Sequence, residues 1–252
     1  MRRLLLAAAA AAGLAASAPA FAAEAPHIAA QHWSFQGLFG TFDRGAAQRG
    51  FQVYREVCAA CHGLHHIYYR HLMQLGFSED QVRQVASEVE VGDGPNDQGE
   101  MFTRPGRLTD RVKAPFANEL AARAANNGAY PVELSNVVKA RLGGPDYVYA
   151  LLTGYKEPPA DMKMSEGMNY NAAFPGHQIA MPPPLNPDGV TYADGTSATV
   201  DQMARDVTTF LAWASEPETE LRKRMGVKVI LFLIVLTGLL YAVKRKIWAA
   251  VH

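Results

Sequence analysis

The sequence predicts a mostly α-helical domain with long loops, followed by one C-terminal transmembrane helix. Apolar residues recur with helical spacing over Ala46–Val57, and over Val200–Ala214 they follow i, i+3, i+4, i+7 without a miss. Thr199 and Gln202 form a capping-box pattern at the start of the second of these helices. The run Val227–Val243 is apolar on every face, which is typical of a membrane span.

Three shorter helices are predicted between the two amphipathic ones. They cover Pro115–Asn127, Pro131–Ala140 and Asp146–Thr153, and the third is ended by a glycine. The stretch Gly92–Gly106 is rich in Gly, Pro, Asp and Asn and predicts a surface excursion. No long strand-like alternation and no internal repeat is visible in the sequence.

The N-terminal segment, residues 1–23, has the features of a signal peptide that is removed. Arg2 and Arg3 precede the apolar stretch Leu4–Ala16, and small residues flank a cleavage position after Ala22 or Ala23. We therefore expect residues 24–221 to form an exported domain.

The apolar run has 17 residues, equivalent to about 26 Å of helix, slightly short for a bilayer core. Lys228 lies in its first turn and can reach the interface. Basic clusters flank both ends, so the positive-inside rule is ambiguous here, and the signal peptide decides the orientation. The prediction is an anchor at 222–246 with basic flanks and a cytoplasmic tail at 247–252.

The formal net charge of zero conceals an acidic exported domain. From Glu24 to Leu221 there are 24 acidic and 15 basic residues, a net charge of −9. This balance suits a basic partner and argues against nucleic acid. Seven carboxylates lie between Glu79 and Glu100, with Arg83 as the only basic residue among them. A solvated face is the simple interpretation of that cluster, and a steering surface is the functional one.

Cys58-Ala59-Ala60-Cys61-His62 is the Cys-x-x-Cys-His signature of covalent haem attachment. The spacing lets two thiols bond one porphyrin edge while the imidazole of His62 reaches the iron as proximal ligand. A thioredoxin-like motif would need a βαβ context, and none is visible. A zinc site would need two more ligands, and His65 and His66 are too crowded to supply them convincingly. The domain is therefore predicted to be a c-type cytochrome haem domain with one haem c.

A second axial ligand would suit the iron to electron transfer, whereas an open site would allow ligand binding or catalysis. Met181 is the favoured candidate because the three prolines that follow it stiffen its loop. The alternatives that remain open on the residues alone are Met73, Met101, Met162, Met164, Met168, Met203, His65, His66, His71 and His177. We also expect the helix before the motif to pack against the last soluble helix, with Phe51 and Tyr54 meeting Phe210 and Leu211.

From Trp33 to Trp248 the sequence resembles cytochrome c1 of the alphaproteobacterial type, the haem subunit of quinol:cytochrome c reductase. Besides the haem motif, the resemblance rests on Ala121–Gly128, Asp146–Tyr155 with Pro158-Pro159, Phe174–Gly176 with Ile179–Met181, Asp194–Thr196, Trp213–Glu216 and Arg222–Gly226.

The resemblance implies that His62 and Met181 are the axial pair and that Arg123 lies near a haem propionate. It implies cytochrome b and a Rieske iron–sulfur protein as partners, cytochrome c as acceptor, and a dimeric complex in the bacterial inner membrane with the haem domain in the periplasm. Such a subunit is not catalytic alone. Some bacterial relatives have an extra disulfide near the haem pocket, and this chain has no cysteine left to form one.

Two other functions are compatible with the motif. A free-standing, membrane-tethered carrier cytochrome donating to an oxidase would have a flexible linker before its anchor. A haem enzyme would have an open sixth coordination site. The short interval between Ala214 and the apolar run argues for a domain held rigidly at the membrane.

Overall fold

A computed structural model describes residues 26 and 28–251, so the predicted signal peptide lies outside the described residues. Six α-helices and four short strands occur in this part of the chain. The helices are α1 Arg44–Glu56, α2 Glu79–Ser87, α3 Glu119–Ala125, α4 Gly144–Thr153, α5 Val200–Ser215 and α6 Thr219–Trp248. The strands are β1 Glu90–Asp93, β2 Phe102–Pro105, β3 Asn169–Tyr170 and β4 Gln178–Ile179, and 3₁₀ helices cover Cys58–Ala60 and Tyr69–Leu75.

The core of the domain is the crossing of α1 and α5. The ring of Phe210 lies 5.5 Å from that of Phe51 and 5.7 Å from that of Tyr54, between centroids. Gly50 allows this close approach, since a Cβ built there would lie 2.0 Å from the carbonyl oxygen of Asp206. The predicted packing of the two helices is confirmed, and Leu211 is buried in the same core.

A buried charge pair joins the same two helices. The guanidinium of Arg49 donates two hydrogen bonds to the carboxylate of Asp206, at 2.9 and 3.0 Å. Its third N–H group donates to Asp194, which lies in the turn before α5, at 2.9 Å. Because Asp206 is almost fully buried, this pairing is what makes its charge tolerable in the core.

Three predicted helices are confirmed: Ala46–Val57 as α1, Asp146–Thr153 as α4 and Val200–Ala214 as α5. The other two predictions are corrected. Pro115–Asn127 contains only the two-turn helix α3, which starts at the side-chain cap of Asn118. Pro131–Ala140 forms turns and no α-helix, so that prediction is wrong. Its backbone is hydrogen-bonded to the haem-motif region, as described below, and this long-range pairing replaces a helical ladder.

The predicted surface excursion contains a β-hairpin, because β1 and β2 pair antiparallel from Glu90–Pro105 to Asp93–Phe102. Arg104 fixes the hairpin by bonding both Asp93 and Asp110.

The C-terminal helix α6 is long and apolar enough to cross a membrane, by length and composition. It is longer than the apolar run alone, since both basic clusters are part of the same helix. Its apolar side chains are exposed, as expected for a helix that contacts lipid. Ser215 ends α5 and Thr219 begins α6, so only three residues separate the domain from the anchor helix. The assignment of the tail at 247–252 stays a prediction.

Candidate haem site

The Cys-x-x-Cys-His motif forms a tight turn directly after α1. The backbone N–H groups of Cys61 and His62 both donate to the carbonyl of Cys58, at 3.1 and 2.9 Å. The hydroxyl of Tyr54 donates to the carbonyl of His62 at 3.1 Å and connects the turn to the helical core. Both thiols and the imidazole therefore belong to one rigid unit positioned by α1.

The imidazole of His62 is held in one tautomer. Its Nδ1 lies 2.6 Å from the carbonyl oxygen of Val132, which can only accept, so Nδ1 carries the proton. Burial lowers the pKa of His62, although the bond to Val132 opposes that shift. The ring is consequently neutral at pH 7, and the lone pair of Nε2 is available to a metal.

The segment that contains Val132 is fixed to the chain after the motif. The carboxylate of Glu133 accepts a hydrogen bond from the backbone N–H of His65 at 2.7 Å and also binds Ser135. The N–H of Leu134 donates to the carbonyl of Gly63 at 3.0 Å. Sequence reasoning missed this support because the partners are about 70 residues apart and no local pattern connects them.

The two thiols differ in environment. Burial raises the pKa of the Cys58 thiol to about 12, so it is protonated at neutral pH, whereas Cys61 is exposed. The two cysteines are not joined in a disulfide. Cys61 lines a cavity of about 140 Å³ together with Tyr130, Pro131 and Glu133. Among the described residues, no group of three His, Cys, Asp or Glu side chains is placed to hold a metal ion.

Met181 lies in a well-anchored loop. Its carbonyl oxygen accepts hydrogen bonds from the hydroxyl of Tyr155, at 3.1 Å, and the amide of Asn169, at 3.4 Å. The residues before it form β4, which pairs with β3. These contacts connect the Met181 loop to the end of α4. Tyr155 and Asn169 also line a neighbouring cavity of about 550 Å³, whose lining does not include His62.

Arg123 lies in α3, near the 140 Å³ cavity that Cys61 lines. Its guanidinium bonds Glu119 at 2.7 Å and the carbonyl of Gly128 at 2.8 Å, and it lies over the ring of Tyr130. These bonds hold the side chain in place while 45% of it stays exposed.

The other candidate axial ligands have ordinary structural surroundings. Met203 is fully buried in the core, and Met73, Met101 and Met168 are exposed. His65 and His66 are exposed, and the ring of His71 packs on Tyr68. The ring of His177 packs on Tyr170. Met162 and Met164 are half-buried, and Met164 lines the 550 Å³ cavity.

These residues fit a haem. A neutral histidine with a free Nε2 follows two cysteines in a single turn. Met181 lies in a separate loop of the same domain, which is held by hydrogen bonds to its carbonyl oxygen. The fold and the site together define the class as a cytochrome-like haem protein carried on a helix that can cross a membrane.

Comparison with known proteins makes the class specific. Residues 33–251 match the family described as "Cytochrome C1 family". The chain is 50% identical to "Cytochrome c1" of Rhodospirillum rubrum, over 86% of each chain. It is 51% identical to "Cytochrome c1, heme protein, mitochondrial" of Schizosaccharomyces pombe, over 90% of this chain and 74% of the relative. It is also 50% identical to "Cytochrome b/c1" of Bradyrhizobium diazoefficiens, over 87% of this chain and 35% of that longer protein.

The chain belongs to the cytochrome c1 family. Membership implies a haem cofactor and confirms the resemblance found in the sequence.

Proposed function

We propose that the protein is the electron-transfer subunit of a quinol:cytochrome c reductase. In this proposal it accepts electrons from a Rieske iron–sulfur protein and passes them to a cytochrome c, in a dimeric complex with cytochrome b. The observation that carries the proposal is the His62 imidazole, fixed by Val132 with Nε2 free, inside a Cys-x-x-Cys-His turn of a cytochrome c1 chain. A relative from Candida albicans, 51% identical, is named "Cytochrome b-c1 complex catalytic subunit, mitochondrial".

Each residue has a distinct role in the proposal. Cys58 and Cys61 would hold one haem covalently, and His62 and Met181 would ligate its iron. When bound, the haem supplies a one-electron centre, and an axial methionine raises its potential relative to a second histidine. Tyr155 positions the Met181 loop without the extra disulfide that some relatives have. Arg123 would bind a haem propionate, and its positive charge would favour the reduced state.

The acceptor surface follows from the charges of the segment from Glu79 to Glu100. Glu79, Asp80, Glu88 and Asp93 are each paired with an arginine of this chain. Glu90, Asp97 and Glu100 are exposed and have no ion pair among the described residues. We assign the attraction of a basic cytochrome c to these three carboxylates.

The location proposed is the bacterial inner membrane. The haem domain lies in the periplasm, α6 crosses the bilayer, and the residues after the second basic cluster lie in the cytoplasm. The predicted signal peptide supports this orientation.

The test is a reduced-minus-oxidised optical spectrum of the protein purified from its own membranes in mild detergent. The expected result is a c-type band accompanied by b-type bands in fixed proportion. A c-type band alone, in a preparation that still reduces its acceptor, would replace the proposal with the tethered-carrier function. A preparation without covalent haem would reject both functions.

A further inference from the structure

The loop of residues 34–41, here called the tip loop, exposes two large apolar side chains. Leu38 is 56% exposed and Phe39 is 81% exposed. The loop precedes α1 and takes no part in the haem site. Adjacent exposed apolar side chains at a loop tip mark a contact with something other than water.

A backbone hydrogen bond and aromatic packing order the tip loop. The N–H of Thr41 donates to the carbonyl of Ser34 at 3.1 Å and closes the base of the loop. Phe35 packs between Trp33 and Phe42, with ring centroids 5.7 and 4.9 Å away. The exposed tip is thus presented by an ordered aromatic base.

The tip loop is fixed to the entry of the anchor helix. The ammonium of Lys223 in α6 donates to the carbonyls of Phe35, at 2.6 Å, and Gly40, at 3.1 Å, which bracket the tip. Lys223 precedes Val227, the first residue of the apolar run, by four positions, or about 6 Å along the helix. The base of the loop therefore lies beside α6, about one helical turn before the apolar run begins.

We propose that Leu38 and Phe39 insert into the boundary between lipid headgroups and acyl chains beside α6, as a second membrane contact of the haem domain. Arg222 and Arg224 are exposed on α6 at the same level. Each bonds one carboxylate of this chain, Glu216 or Glu220, and its remaining N–H groups can donate to headgroup phosphates. Apolar side chains next to cationic ones are the chemistry of an interfacial anchor. The proposal rests on α6 crossing the membrane and is independent of the redox partners.

The experiment places an environment-sensitive fluorophore on Phe39→Cys. The full-length, haem-loaded protein, with the subunits that copurify with it, is reconstituted in phosphatidylcholine vesicles, with and without bromine on the acyl chains. Leu38→Cys is a second labelling position in case the first variant does not assemble. Met101→Cys is the matched control, since Met101 is 71% exposed but lies next to β2, in the hairpin that follows Glu88, the ion-pair partner of Arg55 in the last turn of α1. Val235→Cys, within α6, is the positive control, and unmutated protein gives the labelling blank.

The expected result is blue-shifted emission and bromolipid quenching for the labels at Phe39 and Val235, with neither for Met101. A Phe39 label that behaves like the Met101 label overturns the proposal. A Phe39 label shielded from aqueous iodide but not quenched by bromolipid also overturns it, because a protein partner then covers the tip. Absence of quenching at Val235 would remove the premise that α6 spans the bilayer.

Discussion

At the scale of single residues, the state of His62 depends on one carbonyl oxygen contributed from a distant part of the chain. The bond from Nδ1 to Val132 selects the tautomer with Nε2 free, and Glu133 holds the segment that carries this carbonyl. The Cys-x-x-Cys-His spacing predicts the ligand but not its tautomer, since the acceptor is 70 residues away. The orientation of the His62 imidazole is therefore a property of the fold and not of the motif.

Substitution of Met181 by leucine tests the proposed distal ligand. Leucine has a similar volume but no thioether, so the iron would lose its sixth ligand while the loop keeps its backbone bonds to Tyr155 and Asn169. We expect a lower midpoint potential and carbon monoxide binding to the reduced haem. The control is Met168→Leu, a half-exposed neighbour on the 550 Å³ cavity. If Met181→Leu leaves both properties unchanged, Met181 is not the ligand.

Because of Asp194, we expect the free energy of unfolding of the domain to decrease at acid pH. Hydrogen bonds from Thr196 and then from Arg49 lower the pKa of Asp194 to about 2, below its value of about 3.9 in an unfolded chain. Because the folded value is the lower one, the stabilisation is complete above about pH 4 and is lost as the pH falls toward 2.

Denaturant unfolding at several pH values should show this loss in the wild-type protein and a flatter profile in Asp194→Asn. Asp161→Asn, at an exposed site, is the control and should keep the wild-type profile. If the free energy of unfolding of Asp194→Asn falls with acid pH as steeply as that of the wild type, another group causes the acid sensitivity.

At the scale of elements, the sequence predicted the two long amphipathic helices but missed α2, a two-turn helix that buries Val82 and Ala86. The spacing over α1 and α5 predicted both helices and their contact, because an amphipathic helix must bury its apolar stripe. Pro131–Ala140 has helical composition but folds as turns, because Leu134 and Ser135 bond distant or side-chain partners. Helix propensity depends on local sequence, so it could not reveal that these hydrogen bonds compete with helix formation.

Substitution of Gly50 by alanine should open the α1–α5 crossing. The added methyl group would meet backbone atoms of α5, which cannot rotate away, and we expect a loss of about 1–3 kcal/mol in the free energy of unfolding. Gly45→Ala on the same helix is the matched control, since its nearest neighbour would be 3.4 Å away. That change should be neutral or stabilising by up to about 1 kcal/mol. Equal effects of the two variants in chemical denaturation would contradict the close crossing.

At the scale of the whole molecule, the overall charge of zero divides into an acidic domain and a basic anchor region. The sequence located the acidic segment but could not say which of its carboxylates are neutralised. In the structure, four of the seven carboxylates are paired with arginines. Two of these arginines, Arg55 and Arg104, lie outside the segment. Ion pairs between distant residues depend on tertiary contacts and are not visible in a charge count.

Removal of the three unpaired charges tests the proposed acceptor surface. The triple variant Glu90→Gln, Asp97→Asn, Glu100→Gln should slow reduction of a basic cytochrome c at low ionic strength, with a weaker salt dependence, because long-range attraction is lost. The charge-matched control is the triple variant Glu79→Gln, Asp80→Asn, Glu88→Gln, which removes three carboxylates paired with arginines and should change the rate less. Wild-type rates and salt dependence in the triple variant would place the docking surface elsewhere.

The contacts between the haem domain and the first turn of α6, here called the joint, distinguish a fixed subunit from a tethered carrier. Glu220, at the start of α6, is 9% exposed and accepts hydrogen bonds from the N–H of Phe42, at 2.9 Å, and from Arg44, at 2.8 Å. Both partners belong to the haem domain, so the first turn of the anchor is bonded to the start of α1.

Glu220→Ala would leave the Phe42 N–H without its acceptor and weaken the joint by about 1–3 kcal/mol. We expect faster proteolysis between Ser215 and Thr219 in membranes, with an unchanged haem spectrum, because the core crossing of α1 and α5 is not altered. Glu218→Ala removes an exposed carboxylate two residues earlier and should keep wild-type resistance. If the wild-type protein and both variants are all cut rapidly, the connection is already flexible, and the domain moves as a tethered carrier would.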